Sequence, residues 1–177
     1  VLIVHAHLDP RHESPKPITP PDPLPYVSRR ALARVREWIP PPDVCPNCGS
    51  EVKLVNNIEI YRSRSYGEWP YAYRCVNERC DSFVGLHKHT DLPLGTLATK
   101  AMRDARKDAK SVFHQLMDQW SGVFSRSEMY TWLAKQLGIP KAHCHFGMFD
   151  IPTCSRALKI CLAELKERSH FKKYPTF

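Results

Sequence analysis

The sequence predicts an α+β protein: a four-cysteine zinc ribbon of short antiparallel strands packed with a C-terminal bundle of three to four helices. Three observations predict it. Two cysteine pairs, Cys45-Pro46-Asn47-Cys48 and Cys75-Val76-Asn77-Glu78-Arg79-Cys80, carry the spacing with which tight loops present sulfurs to one tetrahedral ion. The segment between them, Glu51 to Tyr73, is rich in Val, Ile and Tyr, the composition of strands. Beyond Thr99 the apolar residues recur at intervals of three and four, the period of a helix buried on one face.

Each half of the metal reading has a physical basis. Zinc in structural sites takes four thiolate or imidazole ligands, and four cysteines leave no open position for water or substrate. The site Cys45, Cys48, Cys75 and Cys80 therefore reads as structural, with Zn2+ as cofactor and no catalysis at the ion. Gly49 suits the turn after the first pair, and Asn56-Asn57 and Tyr66-Gly67 are the expected turns between strands. The chain has seven cysteines, an odd number, and no signal peptide is recognisable, which argues against a secreted disulfide framework. The expected setting is a reducing one, the cytoplasm. No apolar run is long enough to span a bilayer, so no membrane partner is expected.

Taken in order, residues 1–44 form a proline-rich N-terminal arm plus a short basic helix. Val1 to Val4 suit a short strand. The following His5, His7, Asp9 and His12 superficially resemble the histidine-rich loop of metallo-hydrolases, which depends on a large layered scaffold for its remaining ligands. Seven of the sixteen prolines fall between Pro10 and Pro25, favouring an extended arm or semi-rigid spacer. Ser28 is placed to cap a helix running to about Ile39, where Pro40-Pro41-Pro42 stops it. Residues 45–91 are the ribbon, ending in a strand over Asp81 to Gly85 and then His87, Lys88 and His89 beside the metal.

Residues 92–177 form a basic helical region, and 45–177 read as one compact unit. Met102, Ala105, Ala109, Phe113, Leu116 and Trp120 mark the buried face of its first helix. Ser125-Arg126-Ser127-Glu128 is a capping box opening a second helix, which buries Met129, Trp132, Leu133 and Leu137 and stops at Gly138. A third begins near Asp150 with Cys154, Leu158, Cys161, Leu162 and Leu165 on one side. Between the last two helices, His143, Cys144 and His145, with Cys154, form a second candidate metal cluster. Cys154 and Cys161 equally suit an apolar face, where buried cysteine behaves as a small hydrophobe.

The formal charge is +8, and residues 99–177 hold fourteen Lys and Arg against seven Asp and Glu, so nearly all of the excess lies there. A localised basic excess is the electrostatic footprint of a nucleic-acid or acidic-protein partner. The candidate nucleic-acid contacts are Arg103, Arg106, Lys107, Lys110, His87 and Lys88, with Tyr66, Trp69, Tyr71 or Tyr73 as exposed stacking aromatics. Asp104 and Asp108 stand among the helical cations and suit ion pairs along an ordinary solvated face.

The ordered series Cys45-Pro-Asn-Cys48-Gly, Gly67-Glu-Trp-Pro-Tyr-Ala-Tyr-Arg-Cys75, Cys80-Asp-Ser-Phe-Val-Gly85, Pro93-Leu-Gly-Thr-Leu-Ala98, Ser125-Arg-Ser-Glu128 and His145-Phe-Gly-Met-Phe-Asp150 resembles a phage and prophage zinc-finger-containing domain over about Val44 to Leu165. The resemblance implies zinc on the four cysteines and a small accessory protein of a bacterial virus or integrated element. Three functions of different kinds follow as expectations. One is a regulatory nucleic-acid-binding module. The second is a protein-interaction or inhibitor module that uses the arm and the Arg29 to Arg36 helix against a host protein. The third is a metal-dependent nuclease built on His143, His145 and Asp150.

Overall fold

The computed structural model describes residues 3–5 and 7–173, and the side chains only as far as 167. Two compact units, Val1–Lys100 and Ala101–Phe177, divide the chain. Together they make a mixed α+β protein.

The first unit is built on a three-stranded antiparallel sheet in the order β1 (Val52–Asn56), β2 (Tyr71–Cys75), β3 (Phe83–Gly85). Val52 lies opposite Cys75, and Tyr73 lies between Leu54 and Val84. Side chains alternate across a pleated strand, so this register places Val52, Leu54, Tyr73, Cys75 and Val84 on one face. That face packs with Leu24, Cys45, Leu86 and Leu97 into a small core.

The connection from β1 to β2 is not the predicted two-residue turn at Asn56-Asn57. The type I′ turn that asparagines favour needs left-handed backbone at both central residues, whereas Asn57 is right-handed, with φ −69° and ψ −7°. It opens a single helical turn instead. That turn, Ile58–Tyr61, is α2, and α1 is Arg29–Leu32 earlier in the chain. The asparagines hold the loop by side-chain bonds. Asn56 Oδ1 accepts from Ile58 N–H at 3.0 Å and Ser65 Oγ at 2.8 Å. Asn57 brackets Tyr66, donating to its carbonyl at 2.9 Å and accepting from its N–H at 3.0 Å.

The proline-rich stretch is tied to the ribbon and is no free spacer. Arg11 donates to Asp9 at 2.6 Å and, through both terminal nitrogens, to Asp91 at 2.7 and 2.8 Å. Both carboxylates are buried, 2% and 5% exposed, so their charges depend on this guanidinium. Leu24 enters the ribbon core, and Ser28 N–H donates to His89 O at 2.9 Å. Ser28 caps α1 as expected, its Oγ accepting from Ala31 N–H at 3.3 Å. The helix nevertheless ends after Leu32 and does not reach Ile39. Glu37 takes φ 54° and turns the chain, Leu32 and Val35 are buried, and Ile39 precedes a proline that disfavours helical backbone. Of the strand expected over Val1 to Val4, the first two residues lie outside the described residues. Ile3 and Val4 are not strand, and His5 makes one bridge to Trp38.

The second unit holds α3 (Lys100–Gln119, beginning at the unit boundary), α4 (Arg126–Leu137) and α5 (Ile151–Lys173). Ala109, Phe113, Leu116 and Trp120, on or just beyond α3, are buried with Met129, Leu133 and Leu137 of α4 and Cys154, Ala157 and Cys161 of α5. The capping box forms as the sequence implies. Ser125 Oγ accepts from Glu128 N–H at 3.3 Å, and the Glu128 carboxylate accepts from Ser125 N–H at 2.7 Å. Gly138, at φ 69°, supplies the left-handed residue that ends α4. Leu162 departs from expectation: it is exposed, and Ala157 takes the inward position. No helix among the described residues is long and apolar enough to cross a membrane.

The ion cluster of the arm makes an acid-sensitive contribution. Burial alone would raise the pKa of Asp9, but the Arg11 hydrogen bonds and charge more than offset it and hold the carboxyl below its ordinary value. The stabilisation is therefore full above the unfolded carboxylate pKa of about 3.9 and is lost as pH falls through the lower folded value. Arg11→Met should lower the unfolding free energy at pH 7 by about 2 kcal/mol, below the roughly 3–5 kcal/mol typical of fully buried pairs because Arg11 is partly solvated. Chemical denaturation at pH 7 and pH 3 checks this: the variant's deficit should shrink at pH 3, and an equal midpoint for both proteins at pH 7 would refute it.

Candidate metal centre and cationic surface

Two loops build the metal site. In the first, Cys45 N–H donates to Ser50 O and Gly49 N–H returns to Cys45 O, both at 2.8 Å, folding Cys45 and Cys48 onto one side of a tight knuckle. Gly49 adopts φ 74°, a conformation that disfavours any residue with a Cβ. In the second, Cys75 ends β2 and donates its N–H to Ser82 O at 3.0 Å, while Cys80 N–H donates to Asn77 O at 2.9 Å. All four Sγ atoms lie within 4.8 Å of one another.

The spacing suits an ion and excludes disulfides. Cys45 and Cys80 Sγ are 3.8 Å apart, and Cys48 and Cys75 Sγ 3.4 Å, far beyond a bonded S–S distance of about 2.05 Å. With Zn–S bonds of about 2.3 Å, a regular tetrahedron has sulfur–sulfur edges of about 3.8 Å. The donor set thus fits zinc. Burial pushes the Cys75 thiol up to about 12 and raises Cys45, whereas the Ser50 hydroxyl and N–H lower the exposed Cys48 to about 6. Without a cation the pocket would hold protons on its inner sulfurs, so binding of a dication must displace them.

A polar shell locks the two loops together. Asn47 Nδ2 donates to Ser82 Oγ at 2.9 Å and to Leu97 O at 3.1 Å, and the fully buried Ser82 Oγ lies 3.2 Å from Cys80 Sγ. The Cys80 thiol donates to this oxygen, which also receives Asn47, and with a cation on the sulfur the hydroxyl would turn to donate to it, the kind of outer contact that orients metal ligands. Neither Asn47 nor Ser82 stands out in the sequence.

The second cluster does not assemble. Among the described residues, the four ribbon cysteines are the group of three or more candidate ligands that converge. Cys144 and Cys154 are buried in the helical core, where burial lifts Cys154 to about 11 and Cys161 to about 12, so they act as small hydrophobes. His143 is exposed, His145 Nδ1 accepts from Gly147 N–H at 3.1 Å, and Asp150 caps α5 by accepting from Thr153 N–H at 2.8 Å. In the arm, the His5 ring stacks on Trp38 at 4.2 Å, and His12 Nδ1 lies 2.7 Å from Asp9 O. Structural roles therefore account for most of these side chains.

The cationic residues sort by position. At about 3.6 residues per turn, Arg103, Lys107 and Lys110 fall on one flank of α3, and Asp104 and Asp108 on the other. Arg106 turns further inward and donates Nε–H to Phe149 O at 2.8 Å. His145 reaches the surface yet is hemmed in by protein. That desolvation comes first in lowering its pKa, followed by the positive charges of Lys110, Arg126 and Arg106. Nothing in the sequence sets Arg126 of α4 apart from the other cations. In the ribbon unit, Lys88 pairs with Glu68, and the half-buried His87 donates its N–H to Leu92 O at 2.9 Å. Of the four aromatics expected on the surface, Tyr66 is exposed and Trp69 and Tyr71 are half-buried. Tyr73 is a correction: it is buried, and its hydroxyl donates to Asp91 O at 2.8 Å.

A small antiparallel sheet closed by an all-cysteine metal site defines the first unit as a zinc-ribbon type of module. The chain belongs to the family of zinc-finger-containing domains, whose profile matches residues 41–164. Neither the curated proteins nor the solved structures offer a significant match.

Because the sheet is short and its strands begin and end near metal ligands, zinc should contribute on the order of 10 kcal/mol to the folding of the ribbon. Cys75→Ala should lose the ion and unfold residues around the sheet cooperatively, as should chelation of the native protein. Metal analysis together with thermal unfolding tests this, and a Cys75→Ala protein that keeps both zinc and midpoint would contradict it.

Proposed function

We propose that this protein is a zinc-stabilised nucleic-acid-binding module with a regulatory rather than catalytic role. The observation that carries the reading is the cationic flank of α3, where helical periodicity sets Arg103, Lys107 and Lys110 together and turns Asp104 and Asp108 to the other side. Such a flank suits a polyanion, whose phosphates release their condensed counterions when they meet fixed cations. The zinc holds a fold and takes no part in chemistry, since four thiolates close its coordination. A role in a bacterial virus or prophage belongs to the same proposal and is supported by the order of the sequence motifs.

A second reading, an interaction module for a host protein, is favoured by one feature of the ribbon unit. An open cavity of about 350 Å³ is lined by Ile39, Pro40, Pro41, Pro42, Val44 and Leu97, and such an apolar recess suits an inserted side chain of a protein partner. The Arg29 end of the arm is less available for that purpose, since its guanidinium bonds to the carbonyls of Ser14 and Lys16.

Binding to salt-graded nucleic acid, with the protein first freed of endogenous nucleic acid by nuclease, tests the main reading. The triple variant Arg103→Gln, Lys107→Gln, Lys110→Gln should weaken binding across sequences. The plot of log K against log salt should become shallower by roughly one for each phosphate no longer neutralised. Zinc content should be unchanged. An unaltered slope removes α3 from the interface, and absence of binding by the native protein turns the assignment toward a protein partner.

A further inference from the structure

The loop between β1 and β2 carries an exposed patch that neither the metal site nor the α3 flank uses. Ile58, Tyr61 and Tyr66 are 44%, 45% and 43% exposed, a concentration of large apolar surface on one short connection. The two tyrosine rings meet at 4.7 Å between centroids and 75° between planes, and Tyr61 is braced by Phe83 at 6.2 Å. The Arg64 guanidinium lies 4.8 Å from the centre of the Tyr66 ring. Arg62 closes α2 with φ 58°, an unusual backbone for a residue with a side chain, and is held there by its N–H to Ile58 O at 2.7 Å. The brackets from Asn56 and Asn57 fix the same loop. Exposed aromatics and two exposed arginines thus sit on a loop held by several side-chain hydrogen bonds.

We infer that this loop is a stacking platform for single-stranded nucleic acid, with Tyr61 and Tyr66 receiving bases and Arg62 and Arg64 holding the adjoining phosphates. The inference rests on the nucleic-acid reading above and names the strand type and the residues that would take it. Three features favour that occupant. Flat aromatic faces bind any base and are worth about tenfold or more per stacked base. Two rings at 75° cannot both join the parallel stack of a duplex, whereas a single strand can splay successive bases onto differently oriented rings. Arg62 and Arg64 offer exposed guanidinium groups to a phosphate backbone, Arg64 lying over the Tyr66 ring, while Glu68 of the same connection is paired with Lys88.

The experiment compares fluorescent oligothymidylate and oligouridylate with a DNA duplex, using the full zinc-loaded chain. Tyr61→Ala with Tyr66→Ala should lower affinity for the single strands by about tenfold or more and leave duplex affinity unchanged. Tyr61→Phe with Tyr66→Phe, which keeps the rings, should retain native affinity, and Arg62→Gln with Arg64→Gln should flatten the salt dependence for single strands. Retained zinc stoichiometry shows that each variant is folded. If the native protein binds both probes and the alanine pair binds them equally well, the platform is overturned while the α3 reading stands. If the native protein binds no probe, both readings fall together.

Discussion

Four sulfurs drawn within 4.8 Å of one another are the constraint on which the ribbon unit depends. Bare thiolates at that separation repel, and protonated ones give up the strong bonds that would justify bringing two loops together. A dication reverses the sign of the whole arrangement. Bound there, it would fix the knuckle that leads into β1 and the residue that ends β2, so one ion would tie down both ends of a sheet whose strands are only three to five residues long. A sheet of that size buries too little apolar surface to be stable unaided. The Asn47 and Ser82 contacts then turn two independent loops into one rigid corner.

The features legible in the sequence were those set by neighbouring residues. Cysteine spacing is a local property of each knuckle, and the capping box at Ser125 contains its own partner three residues on. The buried stripe of α3 could be read because the helix repeats. Where the sequence misled, a distant contact decided the outcome. Nothing near Arg11 reveals that it will meet a carboxylate eighty residues later, and a proline-rich stretch without that knowledge reads as a spacer. Asn56-Asn57 has the composition of a tight turn, but the side-chain bonds to Ser65 and Tyr66 hold a wider loop. Alternation places Tyr71 and Tyr73 on one face without saying whether that face is inward, and the core around Tyr73 settles it.

Among the candidate sites, His143, Cys144, His145 and Cys154 are close in sequence and chemically suited to a metal, yet burial sorts them into two core thiols and two surface imidazoles. Proximity along the chain fixes neither direction nor solvation. The cationic residues show the converse. Their excess could be counted from sequence, and helical geometry then separates Arg103, Lys107 and Lys110 from the acids that stand between them.

The Arg11 to Asp91 contact also sets a timetable. A ribosome releases Arg11 long before Asp91, and the cysteine cluster of the ribbon that presents Asp91 includes Cys80 as well as Cys45. The arm, although made before the ribbon, has nowhere to dock until the later segment that carries Asp91 has been made. In the nascent chain, then, the proline-rich stretch must remain solvated and accessible to proteases or chaperones while its counterpart is still being translated, and its docking marks the completion of the unit rather than its start.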